Sequence, residues 1–121
     1  MVSDIFKSAL DSFQTGQFKQ AEALCQQMLE INSEDAEALH LSGILKAQNK
    51  NYGDAKKRIE KAIQLQPNTP KFHHNLGNIY YALKQFELAK QSYHKALSLT
   101  PDFPQAHNRL AETLLKLGNL E

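Results

Sequence analysis

Apolar residues recur every three or four positions in short stretches of the chain, and brief polar segments separate these stretches. Between positions 71 and 83 the apolar side chains at helical spacing are Leu76, Ile79, Tyr80 and Leu83. After the polar pair Lys84-Gln85, the same spacing continues with Ala89, Tyr93, Ala96 and Leu97. This arrangement predicts two helices joined by a short break.

The same arrangement recurs along the chain with a period of about 34 residues, which separates Pro67 from Pro101 and Gly43 from Gly77. Longer series at this offset are Ala21, Ala55 and Ala89; Phe18, Tyr52 and Phe86; and Leu29, Ile63 and Leu97. Proline lacks a backbone N–H, so it ends one helix and is tolerated in the first turn of the next. We predict seven helices in three and a half repeats, at about 2–35, 36–69, 70–103 and 104–121.

Small and aromatic residues hold fixed places within each repeat. Gly43 with Ala55, and Gly77 with Ala89, fall where the two helices of a pair are expected to approach most closely. Larger side chains there would push the helix axes beyond the usual packing distance of about 8–10 Å. The aromatic residues just after each polar break are Phe18, Tyr52 and Phe86. We expect these rings to fill the space between one helix pair and the next.

The combined pattern resembles the tetratricopeptide repeat family, and the resemblance covers essentially the whole chain. The third repeat matches the signature positions of the family with Leu76, Gly77, Tyr80, Ala89, Tyr93, Ala96 and Pro101. His73 stands where the family often has tryptophan. The second repeat keeps Gly43, Ala55, Ala62 and Pro67. The first diverges most, with Ala9 for glycine, Met28 for alanine and Ser33 for proline.

This resemblance implies an all-α fold, namely a right-handed superhelical solenoid of antiparallel helix pairs that forms a single domain over residues 1–121. In the family, the first helices of the pairs line a concave surface, and members commonly bind extended peptides or partner helices there. We therefore expect a protein or peptide partner for this chain.

Helical geometry assigns to that surface the residues of each first helix that face away from its partner helix. They are Phe6, Leu10 and Phe13 in the first repeat; His40, Leu41 and Ile44 in the second; Lys71, His74, Asn75, Asn78 and Tyr81 in the third; and Asn108, Arg109 and Glu112 in the half repeat. The apolar members either accept hydrophobic anchors of a ligand or, for Phe6 and Leu10, pack on the second helix of their own repeat. The polar members either hydrogen-bond a peptide backbone or form ordinary solvated surface.

Some relatives grip the C-terminal carboxylates of chaperone tails with a clamp of lysines, asparagines and an arginine. Over the first three repeats, only Lys71 fits that pattern. When the pattern is shifted by one repeat, Asn75 and Arg109 fit it. Three other positions do not: His40, Ile44 and Gln105. We expect no such clamp.

The segment from His74 to Asn78 also resembles repeats that precede the catalytic part of O-linked N-acetylglucosamine transferases. Those repeats carry a ladder of asparagines along the groove. Here Asn75 occupies one rung, while Leu41 and Arg109 occupy its neighbours, so the residues do not establish a ladder.

Composition and charge exclude several classes of protein. With 41% apolar and 22% charged residues, the chain is neither disordered nor membrane-like in composition. A net charge of +1 is too small to predict attraction to nucleic acid or membranes. The longest apolar run, from Ile79 to Leu83, is far shorter than the roughly 20 residues of a membrane span. The single Cys25 excludes an internal disulfide and favours a reducing compartment, the cytoplasm.

No set of residues predicts catalysis, so we expect a protein that is not an enzyme and has no cofactor. We also expect no metal site, because the adjacent His73 and His74 point about 100° apart on a helix. His40 and His74 occupy equivalent positions, but no thiolate or carboxylate accompanies them. Instead, His73 and His107 are expected to fill helix-packing positions. Cys25 is expected to be a buried structural thiol.

The two ends of the repeat array differ in polarity. Asp4 and Asp11 lie where the later repeats carry apolar residues, which predicts a solvated N-terminal face. The last helix carries Leu110, Leu114, Leu115 and Leu117, and Leu120 falls at the position of Phe18. Either this helix caps the array, or the chain is a fragment of a longer repeat protein.

Three functional hypotheses follow. The leading one is an adaptor or scaffold that binds a peptide or helix on its concave face. The second is the N-terminal, substrate-selecting part of a larger enzyme, such as a glycosyltransferase or methyltransferase. The third is a structural unit that forms homo-oligomers through its leucine-rich C-terminal helix.

Overall fold

A computed structural model describes the backbone of residues 2–119 and the side chains of residues 4–119. Within this range the chain forms seven helices and no strand, as predicted. They are α1 (Val2–Gln14), α2 (Phe18–Ile31), α3 (Ala36–Gln48), α4 (Tyr52–Leu65), α5 (Pro70–Ala82), α6 (Phe86–Leu99) and α7 (Pro104–Asn119). None of the helices within residues 2–119 is both long and apolar enough to cross a bilayer.

The helices follow the repeat period of the sequence. The first helix of each pair begins at Val2, Ala36, Pro70 and Pro104, and the second begins at Phe18, Tyr52 and Phe86. Local chemistry explains some of these boundaries. The Asp35 carboxylate accepts a hydrogen bond of 3.1 Å from the N–H of Ala38 and caps α3. Proline opens α5, where a missing N–H costs nothing.

The break inside each helix pair has the same backbone geometry in all three pairs. Gly16, Lys50 and Lys84, which occupy equivalent positions of the three repeats, adopt positive φ angles of 80°, 61° and 61°. In the third pair, the N–H of Gln85 donates to the carbonyl of Tyr80 at 2.9 Å, as in a Schellman motif. A polar break was predicted here, but lysine at a left-handed position was not, because glycine or asparagine usually occupies it.

The chain divides into two compact units, of which the first ends at Leu65 and the second begins at Gln66. Unit 1 contains α1 to α4. Its core includes a cluster of Ala9, Ala21, Cys25, Leu41 and Leu45, against which Phe6, Leu10, Phe13 and Leu24 pack with part of their surface buried. Burial of Cys25 confirms the expectation of a structural thiol.

Unit 2 contains α5, α6 and α7, and its core is built on large aromatic side chains. Phe72 and Tyr93 are fully buried. Gly77 on α5 faces Tyr93 on α6 so closely that a Cβ atom would lie 2.6 Å from the ring. Gly43 faces Ile59 in the same way between α3 and α4 of unit 1. Both glycines therefore mark the close approach that the sequence predicted.

Several finer expectations have mixed outcomes. Asp4 and Asp11 are exposed, as predicted. His73 is buried and donates to the carbonyl of Pro67, whereas the prediction of a packing role for His107 was wrong, because His107 is exposed. On α7, two of the four described leucines are exposed: Leu114 and Leu115. Leu120 lies outside the described residues.

Two of the three aromatic rings that follow the breaks, those of Phe18 and Phe86, contact the helix just before them. The Phe18 ring lies 5.7 Å from the Phe13 ring, and the Phe86 ring lies 5.3 Å from the Tyr81 ring. Each of these contacts joins the two helices of one pair. Phe18 remains 38% exposed, so its ring shields the Phe13 ring from solvent only in part.

Candidate functional site

A pocket of about 410 Å³ lies between α5 and α7 in unit 2. We call it the α5–α7 pocket. Its lining residues are His74, Asn78, Gln105, Asn108, Arg109 and Glu112. Five of these six were predicted as ligand-binding from helical geometry. They come together because α5 and α7 are equivalent first helices, each of which presents one face to the pocket.

His74 is held in place by aromatic rings. Its imidazole lies 4.9 Å from the Phe103 ring and 6.0 Å from the Tyr93 ring, measured between centroids. The Nε2 atom of His74 is buried and has no hydrogen-bond partner among the described residues. Burial, and then the positive charge of Arg109, holds the pKa of His74 below its ordinary value. The imidazole is therefore neutral at physiological pH.

Asn78 is positioned by the core of unit 2. Its Oδ1 atom accepts a hydrogen bond of 2.6 Å from the Tyr93 hydroxyl, and its Nδ2 atom donates to Asn75 Oδ1 at 3.3 Å. Burial raises the pKa of the Tyr93 phenol, so the hydroxyl stays protonated and remains the donor in this bond. These bonds fix the direction of the Asn78 amide and connect the pocket to the core.

Arg109 is the positive charge of the pocket, and two contacts restrain it. Its guanidinium donates to the Glu112 carboxylate at 3.3 Å and lies 5.4 Å from the centre of the Tyr81 ring. The nearby carboxylate offsets much of the guanidinium charge. The pocket is therefore polar with little net charge, and amide groups provide most of its hydrogen-bonding capacity.

Comparison with known proteins identifies the family. A family model described as a tetratricopeptide repeat matches residues 12–78, and one described as a TPR repeat matches residues 77–118. The first match alone covers more than half of the chain. The chain belongs to the tetratricopeptide repeat family. Its fold is therefore the predicted tetratricopeptide solenoid of helix pairs, which is typical of non-catalytic protein–protein interaction modules.

Among solved structures, a mutant O-GlcNAc transferase of Thermobaculum terrenum is 34% identical to this chain, with a TM-score of 0.92. The match covers 93% of this chain but 22% of that protein. The first tetratricopeptide domain of Spaghetti (RPAP3), bound to an HSP90 peptide, is 19% identical, with a TM-score of 0.90; the match covers 97% of this chain and 93% of that domain.

The tetratricopeptide domain of Sgt2 from Aspergillus fumigatus is 16% identical, with a TM-score of 0.91; the match covers 98% of this chain and 80% of that domain. At such low identity, the Sgt2 and RPAP3 domains show the fold alone. A comparison with curated proteins gives no match.

In this tetratricopeptide chain, the other predicted site residues of α5 lie around the pocket without lining it. Tyr81 contacts it through Arg109, and Asn75 through Asn78. Lys71 is exposed, and its Nζ atom lies 6.0 Å from the centre of the Phe72 ring.

The predicted residues of unit 1 contribute mainly to packing. Leu41 is 3% exposed and His40 is 6% exposed, so neither offers much surface to a ligand. Phe6, Leu10 and Phe13 are half-buried against the core cluster that contains Cys25. That cluster has members on α2 and on α3, so Phe6 and Leu10 have a packing role, and a role in ligand binding stays a prediction. Ile44 is half-buried.

Gln105 and Phe103 are the two residues of this site that sequence reasoning did not select. Gln105 is one turn before Arg109 on α7, so helical spacing was a sufficient signal for it. Phe103 lies just before α7, outside any helix. Its contact with His74 depends on how the loop between α6 and α7 folds back, and no local pattern indicates that.

In the described part of the chain, the metal-ligating side chains are dispersed and the thiol is buried. No group of three or more histidine, cysteine, aspartate or glutamate side chains in residues 4–119 is arranged to hold a metal ion. Burial raises the pKa of Cys25 to about 11. The thiol is therefore protonated at neutral pH, which suits packing rather than nucleophilic attack.

Proposed function

We propose that the chain is an adaptor or scaffold module of the cytoplasm that binds an extended segment of a partner protein. In this proposal, the α5–α7 pocket receives part of the peptide backbone. The observation that carries it is the set of amide side chains on the pocket wall, of which Gln105 and Asn108 are exposed. Within residues 4–119, neither of these two side chains has a hydrogen-bond partner, so both are available to a ligand.

The chemistry of the pocket favours a peptide backbone over a carboxylate group. Each amide side chain offers both a donor and an acceptor, which is the same combination that a peptide unit presents. Among the described residues, Arg109 is the only cation in the lining, and Glu112 competes with any anionic ligand for its guanidinium. A ligand carboxylate would therefore gain little from Arg109 and would lie close to the carboxylate of Glu112.

His74 supports a binding role for the same pocket. A buried ring nitrogen without a partner costs about 1–3 kcal/mol of folding free energy, and an apolar side chain would avoid that cost. Proteins often retain a destabilising residue where that residue serves a function, and His74 fits this description. The RPAP3 domain bound to an HSP90 peptide is a further support, because it is a structural neighbour with a peptide ligand.

A peptide library tests the proposal directly. Short phage-displayed random peptides are selected on the full chain, and the affinity of the best peptide is measured by fluorescence anisotropy. The double variant Gln105→Ala/Asn108→Ala should bind that peptide about tenfold more weakly, because it lacks two hydrogen bonds worth about 0.5–1.5 kcal/mol each. Asn78 is left unchanged because its amide also supports Tyr93.

The matched control is Gln64→Ala/Gln91→Ala, which removes two exposed glutamines from α4 and α6. It should bind the selected peptide with unchanged affinity. Equal binding by the pocket variant and the wild-type chain would place the peptide elsewhere and refute this site.

A second candidate function has support from one comparison. Because the chain is 34% identical to part of an O-GlcNAc transferase, it is also a candidate for the substrate-selecting repeats of a larger glycosyltransferase. The gene sequence beyond the codon for Glu121 distinguishes the two. A catalytic domain in the same reading frame would support the enzyme, and a stop codon would contradict it.

Self-association is a third candidate, because Leu115 is 70% exposed on α7 and its neighbour Leu114 is 47% exposed. Static light scattering over a concentration series tests it. A mass of 13.7 kDa at every concentration corresponds to a monomer and would rule out a homo-oligomer.

A further inference from the structure

A second concave surface lies in unit 1, and residues of α2, α3 and α4 line it. Two adjoining hollows of about 450 Å³ and 300 Å³ share Gln26 and Arg58 in their linings. We call this combined surface the α2–α4 groove. None of the ligand-binding residues predicted from the sequence lines it, and it is separate from the α5–α7 pocket of unit 2.

Positive charge is concentrated in this groove. Its cationic lining residues are Lys19, Lys46, Lys57, Arg58 and Lys61, whereas its acidic residues are Glu22 and Asp54. The composition of unit 1 does not explain this excess, because its sequence contains eight basic and nine acidic side chains. The basic residues therefore converge on the groove, and most of the acidic ones lie elsewhere.

The two acidic residues of the groove are bonded to neutral amides rather than to the cations. Glu22 accepts a hydrogen bond of 3.0 Å from Asn49, and Asp54 accepts one of 3.0 Å from Asn51. None of the five groove cations forms an ion pair with another residue in the described range 4–119. Their charge is therefore available to a ligand.

Arg58 gives the groove a fixed cationic centre. It is half-buried, and its Nη1 atom donates to Ser42 Oγ at 3.0 Å. Ser42 is 6% exposed, so this bond ties the guanidinium to a residue at the surface of the core. One bond to Ser42 leaves four of the five guanidinium N–H donors for other partners. A planar donor group of this kind suits a carboxylate.

The groove also offers apolar surface beside its charges. Leu29 of α2 and Leu39 of α3 line the larger hollow, next to Lys57 and Lys61. Among the described residues, no aromatic side chain lines either hollow. Single-stranded nucleic acids are bound by aromatic stacking combined with positive charge, so linings without aromatic rings disfavour them. Carboxylates interspersed with an aliphatic side chain match the groove better.

The geometry points to the α2–α4 groove as a docking site for an acidic segment of a partner protein, rich in aspartate or glutamate and carrying an aliphatic side chain. Charge complementarity carries this assignment: cations without an ion-pair partner among residues 4–119 line both hollows, and two leucines line the larger one. Arg58, which is held by Ser42, lines both hollows. The proposal is independent of the peptide proposed for the α5–α7 pocket, because the two sites share no residue.

A short fluorescein-labelled peptide with alternating glutamates around a central leucine is the probe. Its affinity for the full chain is measured by anisotropy at about 50 mM and about 200 mM NaCl, because salt screens exposed charges. A peptide in which every glutamate is glutamine is measured in parallel. The acidic peptide should bind, binding should weaken at the higher salt concentration, and the glutamine peptide should bind at least about tenfold more weakly at low salt.

Charge variants then locate the site. Lys57→Gln/Lys61→Gln removes two exposed cations of the groove and should weaken binding of the acidic peptide about fivefold. Lys95→Gln/Lys116→Gln makes the same change in net charge on exposed residues of unit 2 and should have no effect. Asp54→Asn should strengthen binding, because it removes a carboxylate from the groove. Circular dichroism verifies that each variant is folded.

Three results would overturn the proposal. The first is equal affinity for the acidic peptide and its glutamine counterpart. The second is an equal loss of affinity in the groove variant and in the unit 2 variant, which would show an effect of net charge alone. The third is tighter binding of a short oligouridine probe than of the acidic peptide, since the groove would then be a nucleic-acid site.

Discussion

The helix pairs α3/α4 and α5/α6 form the same close approach with different side chains. In each pair a glycine of the first helix faces one residue of the second: Gly43 faces Ile59, and Gly77 faces Tyr93. A Cβ atom on either glycine would lie within 2.6 Å of the facing side chain. The position therefore tolerates a change from isoleucine to tyrosine, provided that the opposite residue has no side chain.

The difference between the two pairs extends to their outer surfaces. Tyr93 brings a hydroxyl into the core, and that hydroxyl needs a hydrogen-bond partner. Asn78 provides it at 2.6 Å, whereas the equivalent residue of α3 is Ile44. An aromatic core residue in unit 2 is thus accompanied by a polar residue on α5, and that residue lines the α5–α7 pocket. The hydrogen bond between Tyr93 and Asn78 therefore connects packing in the core to the polar lining of the pocket.

Truncation of the facing residues should have the largest effect and should separate the two pairs. Tyr93→Ala is expected to cost about 4 kcal/mol, because it empties a large buried site and leaves Asn78 without its donor. Ile59→Ala is expected to cost about 3 kcal/mol, since it removes less volume and no hydrogen bond. Urea unfolding followed by circular dichroism measures both. The comparison fails if Ile59→Ala costs more than Tyr93→Ala.

The first helix pair suggests a sharper experiment. At the positions equivalent to Gly77 and Tyr93, α1 and α2 carry Ala9 and Cys25, both buried. Gly77→Ala in the wild-type chain should destabilise it by about 2 kcal/mol, because Tyr93 must move aside.

In a Tyr93→Cys background the same Gly77→Ala change should instead stabilise the chain by about 0.5–1 kcal/mol, since the space is free and alanine favours a helix. A double-mutant cycle in urea gives the coupling between the two sites directly. Additive effects, with no change of sign, would contradict the view that the glycine is present to accommodate the facing side chain.

The sequence alone predicted the helices well, because the repeat period, the prolines and the polar breaks all mark the same boundaries. Five of the residues that helical spacing assigned to the ligand-binding surface line the α5–α7 pocket, and their role in binding stays a prediction. The sequence did not predict that Phe103 would pack on His74 or that cations from α2, α3 and α4 would converge around Arg58. Those contacts depend on tertiary packing, which no local spacing specifies.

The wrong prediction for His107 shows that equivalent positions of two repeats need not be equally buried. His73 and His107 are equivalent, and each bonds to the carbonyl of the proline six residues before it, at 2.8 Å. His73 is buried, whereas His107 lies on α7, the last described helix, and is exposed. Equivalent positions thus keep the same local hydrogen bond while their burial depends on the helices around them.

The smallest expected change in stability concerns His74. An ordinary packed surface would not contain a buried nitrogen without a hydrogen-bond partner, as His74 does among the described residues. His74→Phe removes the unpartnered Nε2 and keeps an aromatic ring against Phe103. The variant should be more stable than the wild-type chain by about 1 kcal/mol at pH 7.5. The control His94→Phe changes an exposed histidine of α6 and should alter stability by less than about 0.5 kcal/mol.

The pH dependence of the same variant checks the cause. The folded chain holds the pKa of His74 below its ordinary value of 6.5, so as the pH falls through that value the unfolded chain takes up a proton that the folded chain does not. The free energy of unfolding therefore decreases on acidification, because protonation of His74 favours the unfolded chain. Urea unfolding between pH 7.5 and pH 5 should show a smaller loss of stability in His74→Phe than in the wild-type chain. An equal loss in both would mean that His74 protonates as readily in the folded chain as in the unfolded one, and the lowered pKa assigned to His74 would be wrong.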